Sequence, residues 1–152
     1  MMSEESVATA LLLSRIVDNG TNPLKASEFW KLPGKKSALL GLSHKELIDV
    51  GIEEELAERI LRLFDRATIL TFELQKYEDS GIKLLTPDDE KFPARLLDRL
   101  GPKSPALFHA VGNLELLNQP GIGIVGSRNV SEDGAQTAKN IAKKSVELSH
   151  VV

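Results

Sequence analysis

Residues 121–128 read Gly-Ile-Gly-Ile-Val-Gly-Ser-Arg, an apolar run that ends in three residues suited to binding a phosphate group. Such a run predicts a buried parallel strand, and the helical periodicity after Gly134 predicts a helix just behind it. The loop between strand and helix would present backbone N–H groups to an anion. Arg128 adds a guanidinium whose donors match phosphate oxygens, and Ser127 adds a hydroxyl. The alternative is that Gly126 only allows a turn and that Arg128 lies on the surface.

Outside this loop, the residue types that usually carry chemistry are scarce or scattered. The sequence has no cysteine, which excludes disulfides and thiolate metal sites. His44, His109 and His150 lack the spacing of metal ligands, so we expect each to be a surface or packing residue. Asp133 follows the loop closely, but we interpret it as a helix-capping acid. We therefore predict no metal, no cofactor and no catalytic site.

The charge of the chain argues against a broad basic surface. The 152 residues suffice for one domain or two small ones, and their net charge is −3. Residues 1–80 contain 10 basic and 14 acidic side chains, whereas residues 81–152 contain 9 and 8. A polyanion site is therefore expected in the second part. The apolar residues 7–13 follow two glutamates, where a signal peptide would have Lys or Arg, so we expect no signal peptide. Because no apolar segment is long enough to span a bilayer, we also expect no membrane span and a cytoplasmic location.

The first 80 residues are expected to form an all-α module. Apolar residues recur at helical spacing, and capping signals mark the helix ends. The expected helices are 5–18, 27–32, one opened by a Ser43–Glu46 capping box and interrupted at Gly51, and 53–79. The last should be a long amphipathic spine, and Phe29 and Trp30 should fill the core.

From Ser80 and Gly81 onward the pattern changes to short strands and turns. We therefore place a boundary there and predict two domains, 1–80 and 81–152. Thr86 is expected to cap the start of a helix. Further strands and helical segments are expected at 82–85 (strand), 92–100 (helix), 106–111 (strand), 113–117 (helical turn) and 121–125 (strand).

Residues 47–52 resemble the turn between two helices in helix-hairpin-helix and sterile-alpha-motif-like modules. Helix-hairpin-helix turns hold a DNA phosphate, but here three glutamates, residues 53–55, follow the turn and would repel one. We therefore favour packing or a protein contact over DNA contact for this turn.

The second part of the chain resembles the opening of the DprA/Smf family of DNA-processing proteins. The resemblance extends from about Gly81 to Ala142, and the helical module lies where many family members carry a sterile-alpha-motif-like domain. The residues that carry it are Phe92-Pro93, Leu96, Leu100, Pro105, Leu107-Phe108, Gly112-Asn113, Leu116-Leu117, Ile124-Val125-Gly126-Ser127-Arg128, Ser131 and Gly134.

The resemblance implies an α/β protein in which the helical module precedes the first part of a doubly wound, Rossmann-like domain. It implies a cytoplasmic bacterial protein that binds single-stranded DNA, dimerises, and helps to load the RecA recombinase during natural transformation or recombination. Members are not known as enzymes. By analogy, Gly126, Ser127 and Arg128 form the loop that grips the DNA backbone, with Arg128 as the main phosphate contact.

Two features depart from the family pattern. The family usually has an aromatic residue, often Tyr, immediately before the loop glycine, whereas this sequence has Ser131-Glu132-Asp133-Gly134, whose acids weaken the local positive potential. The sequence also stops at Val152, where the second strand of the family's Rossmann sheet begins, so we expect a truncated piece. Its residues 121–152 should be stabilised by a partner chain, by swapping, or only weakly.

Two alternative functions stay open at this point. One is a nucleotide-binding hydrolase of a related Rossmann-like type, although the paired glycine segment and the adjacent carboxylate that it needs are missing from the sequence. The other is a protein-interaction module in which the helical part docks a partner through residues 53–58.

Overall fold

The structure is a computed structural model that describes residues 2–152 and contains seven α-helices and one small sheet in that range. The helices are α1 (Glu4–Leu13), α2 (Ala26–Phe29), α3 (His44–Asp49), α4 (Glu54–Phe64), α5 (Ala67–Asp79), α6 (Ala94–Leu100) and α7 (Glu132–Glu147). Strands β1 (Lys83–Leu85) and β2 (Phe108–Ala110) pair antiparallel, with Leu84 opposite His109. The chain divides into two compact units, Met1–Leu114 and Glu115–Val152.

Serine hydroxyls cap the starts of three of the seven helices, α1 (Ser3), α3 (Ser43) and α7 (Ser131). The Ser43 hydroxyl accepts the N–H of Glu46, and the Glu46 carboxylate accepts the N–H of Ser43, so the expected capping box is confirmed. Gly51, with φ +93°, ends the α3 region as expected. Helix α2 is shorter than its predicted range 27–32.

The predicted long helix over 53–79 is wrong, because the chain breaks between α4 and α5. Arg66 lies at this break with only 2% of its surface exposed. Its guanidinium donates hydrogen bonds to the carbonyl oxygens of Leu63 (3.1 Å), Val17 (2.5 Å), Ser14 (3.3 Å) and Leu11. Burial lowers the pKa of Arg66, while the charge of Asp18 raises it. Tertiary contacts therefore decide where the helix is interrupted.

The same contacts explain why α1 ends at Leu13 rather than at Asp18. The carbonyl oxygens of Leu11, Ser14 and Val17 face Arg66 instead of continuing the helical ladder. The predicted C-terminal end of this helix is therefore wrong by several residues.

Residues beyond the predicted boundary at Ser80 and Gly81 pack onto the helices. Leu84 belongs to a buried cluster with Ala10 and Leu11, and Ala106 to another with Leu12. The half-buried Trp30 indole N–H donates to the Ser104 carbonyl at 2.7 Å, beside the buried Phe29 ring. The 80/81 division of domains stays a prediction from the sequence, whereas contacts divide the chain after Leu114.

Most short elements of the second part follow the expectations: β1, β2, α6 and a 3₁₀ turn at Leu114–Asn118 are present. The helix start expected at Thr86 is absent. The Thr86 N–H donates to the Asp89 carboxylate at 2.6 Å, and the Thr86 hydroxyl is buried against the Ser6 hydroxyl at 2.8 Å. The N–H of Asp89 also donates to the Thr86 carbonyl at 2.9 Å, so residues 86–89 form a turn and not the start of a helix.

Candidate functional site

The segment before the loop is held in place at one point. Gly121 forms a single parallel bridge with Val151. The N–H of Ile122 donates to the Val151 carbonyl at 2.8 Å, and the N–H of Val151 donates to the Pro120 carbonyl at 2.9 Å. The bridge joins the segment before the loop to the segment that follows α7.

The buried strand predicted over 121–125 is wrong beyond this bridge. Residues 123–127 make no backbone hydrogen bonds to a neighbouring strand, and Val125 is 97% exposed. A parallel strand is buried when neighbours flank both its edges and cover both its faces. Within residues 2–152 only Val151 pairs with this segment, so it stays extended and open.

Gly126, Ser127 and Arg128 form the exposed loop that the sequence singles out. The Ser127 hydroxyl oxygen accepts the backbone N–H of Asn129 at 3.2 Å, which closes a turn around Arg128. A Cβ at Gly126 would have no atom within 4 Å, so the space beside this backbone is open to a ligand. The three predicted site residues are therefore adjacent and accessible.

Helix α7 begins directly behind the loop. Ser131 is its N-cap, and the Ser131 hydroxyl accepts the N–H of Gly134 at 3.2 Å. A Cβ at Gly134 would meet a Val130 methyl at 2.7 Å, so glycine suits this position. The cap expected at Asp133 is wrong, because Asp133 lies inside the first turn and Ser131 performs the capping.

The loop retains unused hydrogen-bond donors. In the described part of the chain, the backbone N–H groups of Gly126, Ser127 and Arg128 have no acceptor, and the Arg128 side chain makes neither an ion pair nor a hydrogen bond. The N–H groups of Glu132 and Asp133 belong to the first helical turn, which leaves them without intrahelical partners. These donors and the guanidinium offer an anion several contacts on one stretch of chain.

The charge around the loop is mixed. Glu132 and Asp133 are exposed in the first turn of α7, where they stabilise the helix by complementing its dipole. The same carboxylates repel an incoming anion, as expected from the sequence. Arg128 and the unpaired N–H groups must outweigh this repulsion for an anion to bind.

Two basic residues of α7 were missed by the sequence analysis. Lys139 and Lys143 are exposed and unpaired within residues 2–152. Their spacing of four residues places them on one edge of the helix. The spacing is visible in the sequence. Whether both lysines are exposed can be decided only when the buried face of the helix is known.

The acidic region 53–58 lies at the start of α4. Glu53 is the N-cap, and Glu53 and Glu55 line a groove of about 390 Å³ that also contains Leu32, Ile52 and Leu56. The acidic groups complement the dipole of α4. A partner for this groove stays a prediction.

The other candidate groups do not converge. No group of three or more His, Asp or Glu residues in positions 2–152 is placed to hold a metal ion. Over the same residues, no helix combines the length and the hydropathy that crossing a lipid bilayer requires.

Comparison with known proteins supports the resemblance seen in the sequence. Residues 83–152 match a family model described as DNA recombination-mediator protein A, which confirms the family resemblance of the second part of the chain. The matched range includes the loop Gly126–Arg128 and α7, whereas helices α1–α5 precede it. No curated protein and no solved structure matches the chain.

Proposed function

We propose that this chain, whose residues 83–152 carry the pattern of the DNA recombination-mediator family, binds the backbone of single-stranded DNA through Gly126, Ser127 and Arg128. The observation that carries the proposal is the exposed Arg128 with three neighbouring N–H groups that have no acceptor within residues 2–152. All of them directly precede the start of α7. The bound strand is then presented to the RecA recombinase during natural transformation or recombination.

The binding step relies on charge and backbone donors. A phosphate placed against Gly126 meets no side chain there, because glycine leaves the backbone open. The loop N–H groups and the positive end of the α7 dipole face its oxygens. Arg128 supplies the full charge and forked donors that this contact needs.

Recognition of this kind reads phosphates rather than bases. Residues 115–152 contain no Phe, Tyr or Trp, the large aromatic side chains on which bases most often stack. Phosphate contacts carry no sequence information. We therefore expect similar affinity for different base compositions and a steep dependence on salt.

The proposal also covers the fold of each part of the chain and the assembly of the protein. Parallel pairing of Gly121 with Val151 on either side of α7 supports a Rossmann-like domain, since parallel neighbours need such a crossover. The α3–α4 turn supports a sterile-alpha-motif-like module in the first part. The protein acts in the cytoplasm as a homodimer and without catalysis.

The experiment is a titration of labelled oligothymidylate at two salt concentrations, followed by fluorescence anisotropy. Arg128→Ala should weaken binding about tenfold at low salt, because it removes a charged hydrogen-bonded contact. The slope of log affinity against log salt should become shallower by about 0.7. Arg62→Ala, which removes an exposed arginine of α4, is the matched control and should bind like the wild type.

Two results would contradict the proposal. One is an Arg128→Ala variant that binds with wild-type affinity and salt slope. The other is a wild-type chain that shows no affinity for single strands at low salt.

A further inference from the structure

We propose that one edge of α7, marked by Lys139 and Lys143, continues the DNA-backbone contact that starts at Arg128. This inference rests on the proposed function and extends it, because it defines the ligand as a chain of phosphates rather than a single nucleotide. It concerns residues that neither the glycine loop nor the family resemblance singled out.

The two lysines are spaced so that they act together. A helix rises about 1.5 Å per residue, so Lys139 and Lys143 are about 6 Å apart along its axis and on the same edge. Both side chains are exposed and make no ion pair within the described residues. Their ammonium groups are therefore available to an anion from outside.

The third lysine of α7 is already paired, and another face of the helix is buried. Ser145 is buried, and Ala138 and Ala142 are half-buried on the same face. Lys144 lies about 100° round the helix from Lys143, and Lys144 forms an ion pair with Glu147 at 3.1 Å. The edge with Lys139 and Lys143 is thus the part of α7 with free positive charge.

The distance from the loop determines the kind of ligand. Lys143 lies eleven residues after Glu132, the first residue of α7, which corresponds to about 16 Å along the axis. A mononucleotide has its phosphate at one end and cannot contact the loop and this edge with phosphates simultaneously. A polynucleotide has a phosphate at every nucleotide, so it suits both positions.

The sign of the charge changes twice between Arg128 and Lys143, and this pattern favours an extended DNA single strand as the ligand. Glu132 and Asp133 stand between the loop and the lysines, so the path is positive at Arg128, negative at the first turn and positive again beyond it. A flexible single strand can place phosphates at the two positive regions and lead its backbone away from the carboxylates between them. The lysine edge thereby offsets the local repulsion at the start of the helix.

The test compares the double variant Lys139→Ala/Lys143→Ala with the control variant Lys144→Ala, both in the 152-residue chain. Alanine favours helix, so both variants should keep α7, which circular dichroism checks. For a long oligothymidylate, the double variant should lose several-fold in affinity, and its salt slope should become shallower by about 1.4, or 0.7 for each lost phosphate contact. Lys144→Ala should keep the wild-type slope. Thymidine monophosphate, as a competitor for the loop alone, should bind both variants and the wild type equally.

The outcomes separate this inference from the proposed function. Weaker binding by Arg128→Ala together with a wild-type slope for the double variant would overturn the inference and leave the proposed function standing. Loss of monophosphate binding in the double variant would also overturn it, because the lysines would then belong to the loop site. A wild-type chain without affinity for single strands would overturn both.

Discussion

The Ser127 hydroxyl accepts the backbone N–H of Asn129 at 3.2 Å, so the turn that contains Arg128 is closed by its own side chain. The turn therefore has its shape before any ligand arrives. A preformed site loses less conformational entropy on binding than a disordered one. An exposed turn with a fixed shape is suited to binding an anion from solvent.

Neutralising the acids behind the loop should strengthen DNA binding. In the variant Glu132→Gln/Asp133→Asn, two negative charges near the proposed phosphate position are removed. Charges at a helix end contribute about 0.3–1 kcal/mol each, so we expect affinity for oligothymidylate to rise about two- to fivefold per charge at low salt. Anisotropy titration measures the change, with Glu58→Gln as a control on α4. A fall in affinity would place the phosphate elsewhere.

Removing the cap of α7 should destabilise the start of the helix and increase the mobility of the adjoining loop. Ser131→Ala deletes the hydroxyl that accepts the Gly134 N–H, at a cost of about 1 kcal/mol. Hydrogen exchange should then accelerate in the first turn of α7, whereas Ser131→Thr should retain protection. Equal exchange rates in Ser131→Ala and the wild type would show that another group caps this helix.

Arg66 should be essential for the stability of the first unit. Arg66→Ala leaves the carbonyl oxygens of Leu11, Ser14, Val17 and Leu63 without their donor. An unsatisfied buried polar group costs about 1–3 kcal/mol, so the free energy of unfolding should fall by at least about 3 kcal/mol. Urea unfolding followed by Trp30 fluorescence provides the measurement, and the exposed Arg62→Ala should differ from the wild type by less than about 0.5 kcal/mol. An unchanged unfolding midpoint for Arg66→Ala would contradict this role.

The free energy of unfolding should depend on pH through the carboxyl group of Glu5. Its carboxylate accepts the N–H groups of Lys36 at 2.9 Å and Ser37 at 2.8 Å. Burial raises the pKa of Glu5, but these hydrogen bonds outweigh it and hold the pKa below its usual value. The folded state therefore binds the proton less readily than the unfolded chain, so this contribution is present above the unfolded pKa of about 4.3 and is lost as pH falls through the lower folded value.

The test for this coupling is Glu5→Gln. The variant should be less stable than the wild type near neutral pH, by about 1 kcal/mol for the weakened hydrogen bonds. The two stabilities should converge on acidification below the unfolded pKa of Glu5. Urea unfolding at a series of pH values measures both, and a constant difference down to about pH 3 would contradict the assignment.

Features that depend on neighbouring residues were predicted correctly from the sequence, whereas features that depend on long-range contacts were not. The Ser43–Glu46 capping box and the strand at 83–85 depend on neighbouring residues, so their patterns are readable directly. The break at Arg66 depends on carbonyl groups some fifty residues earlier, which helical periodicity does not reveal. The exposure of Val125 likewise depends on which strands are available to cover it.

The candidate site shows the same division. The loop Gly126–Arg128 and its helix were predicted because residue type and order suffice to indicate them. Ser131 as the cap and the free edge at Lys139 and Lys143 required the position of the α7 start and of its buried face. The sequence alone therefore did not show at which residue α7 begins or which of its faces is buried.

The most direct test of the proposal that the loop Gly126–Arg128 binds phosphate is a two-dimensional amide NMR titration of the chain with oligothymidylate. We predict that the amide signals of Gly126, Ser127 and Arg128, and those of the first turn of α7, shift progressively and that the shifts are reversed by added salt. Signals that move only within residues 2–114, with the loop unchanged at saturation, would contradict the account.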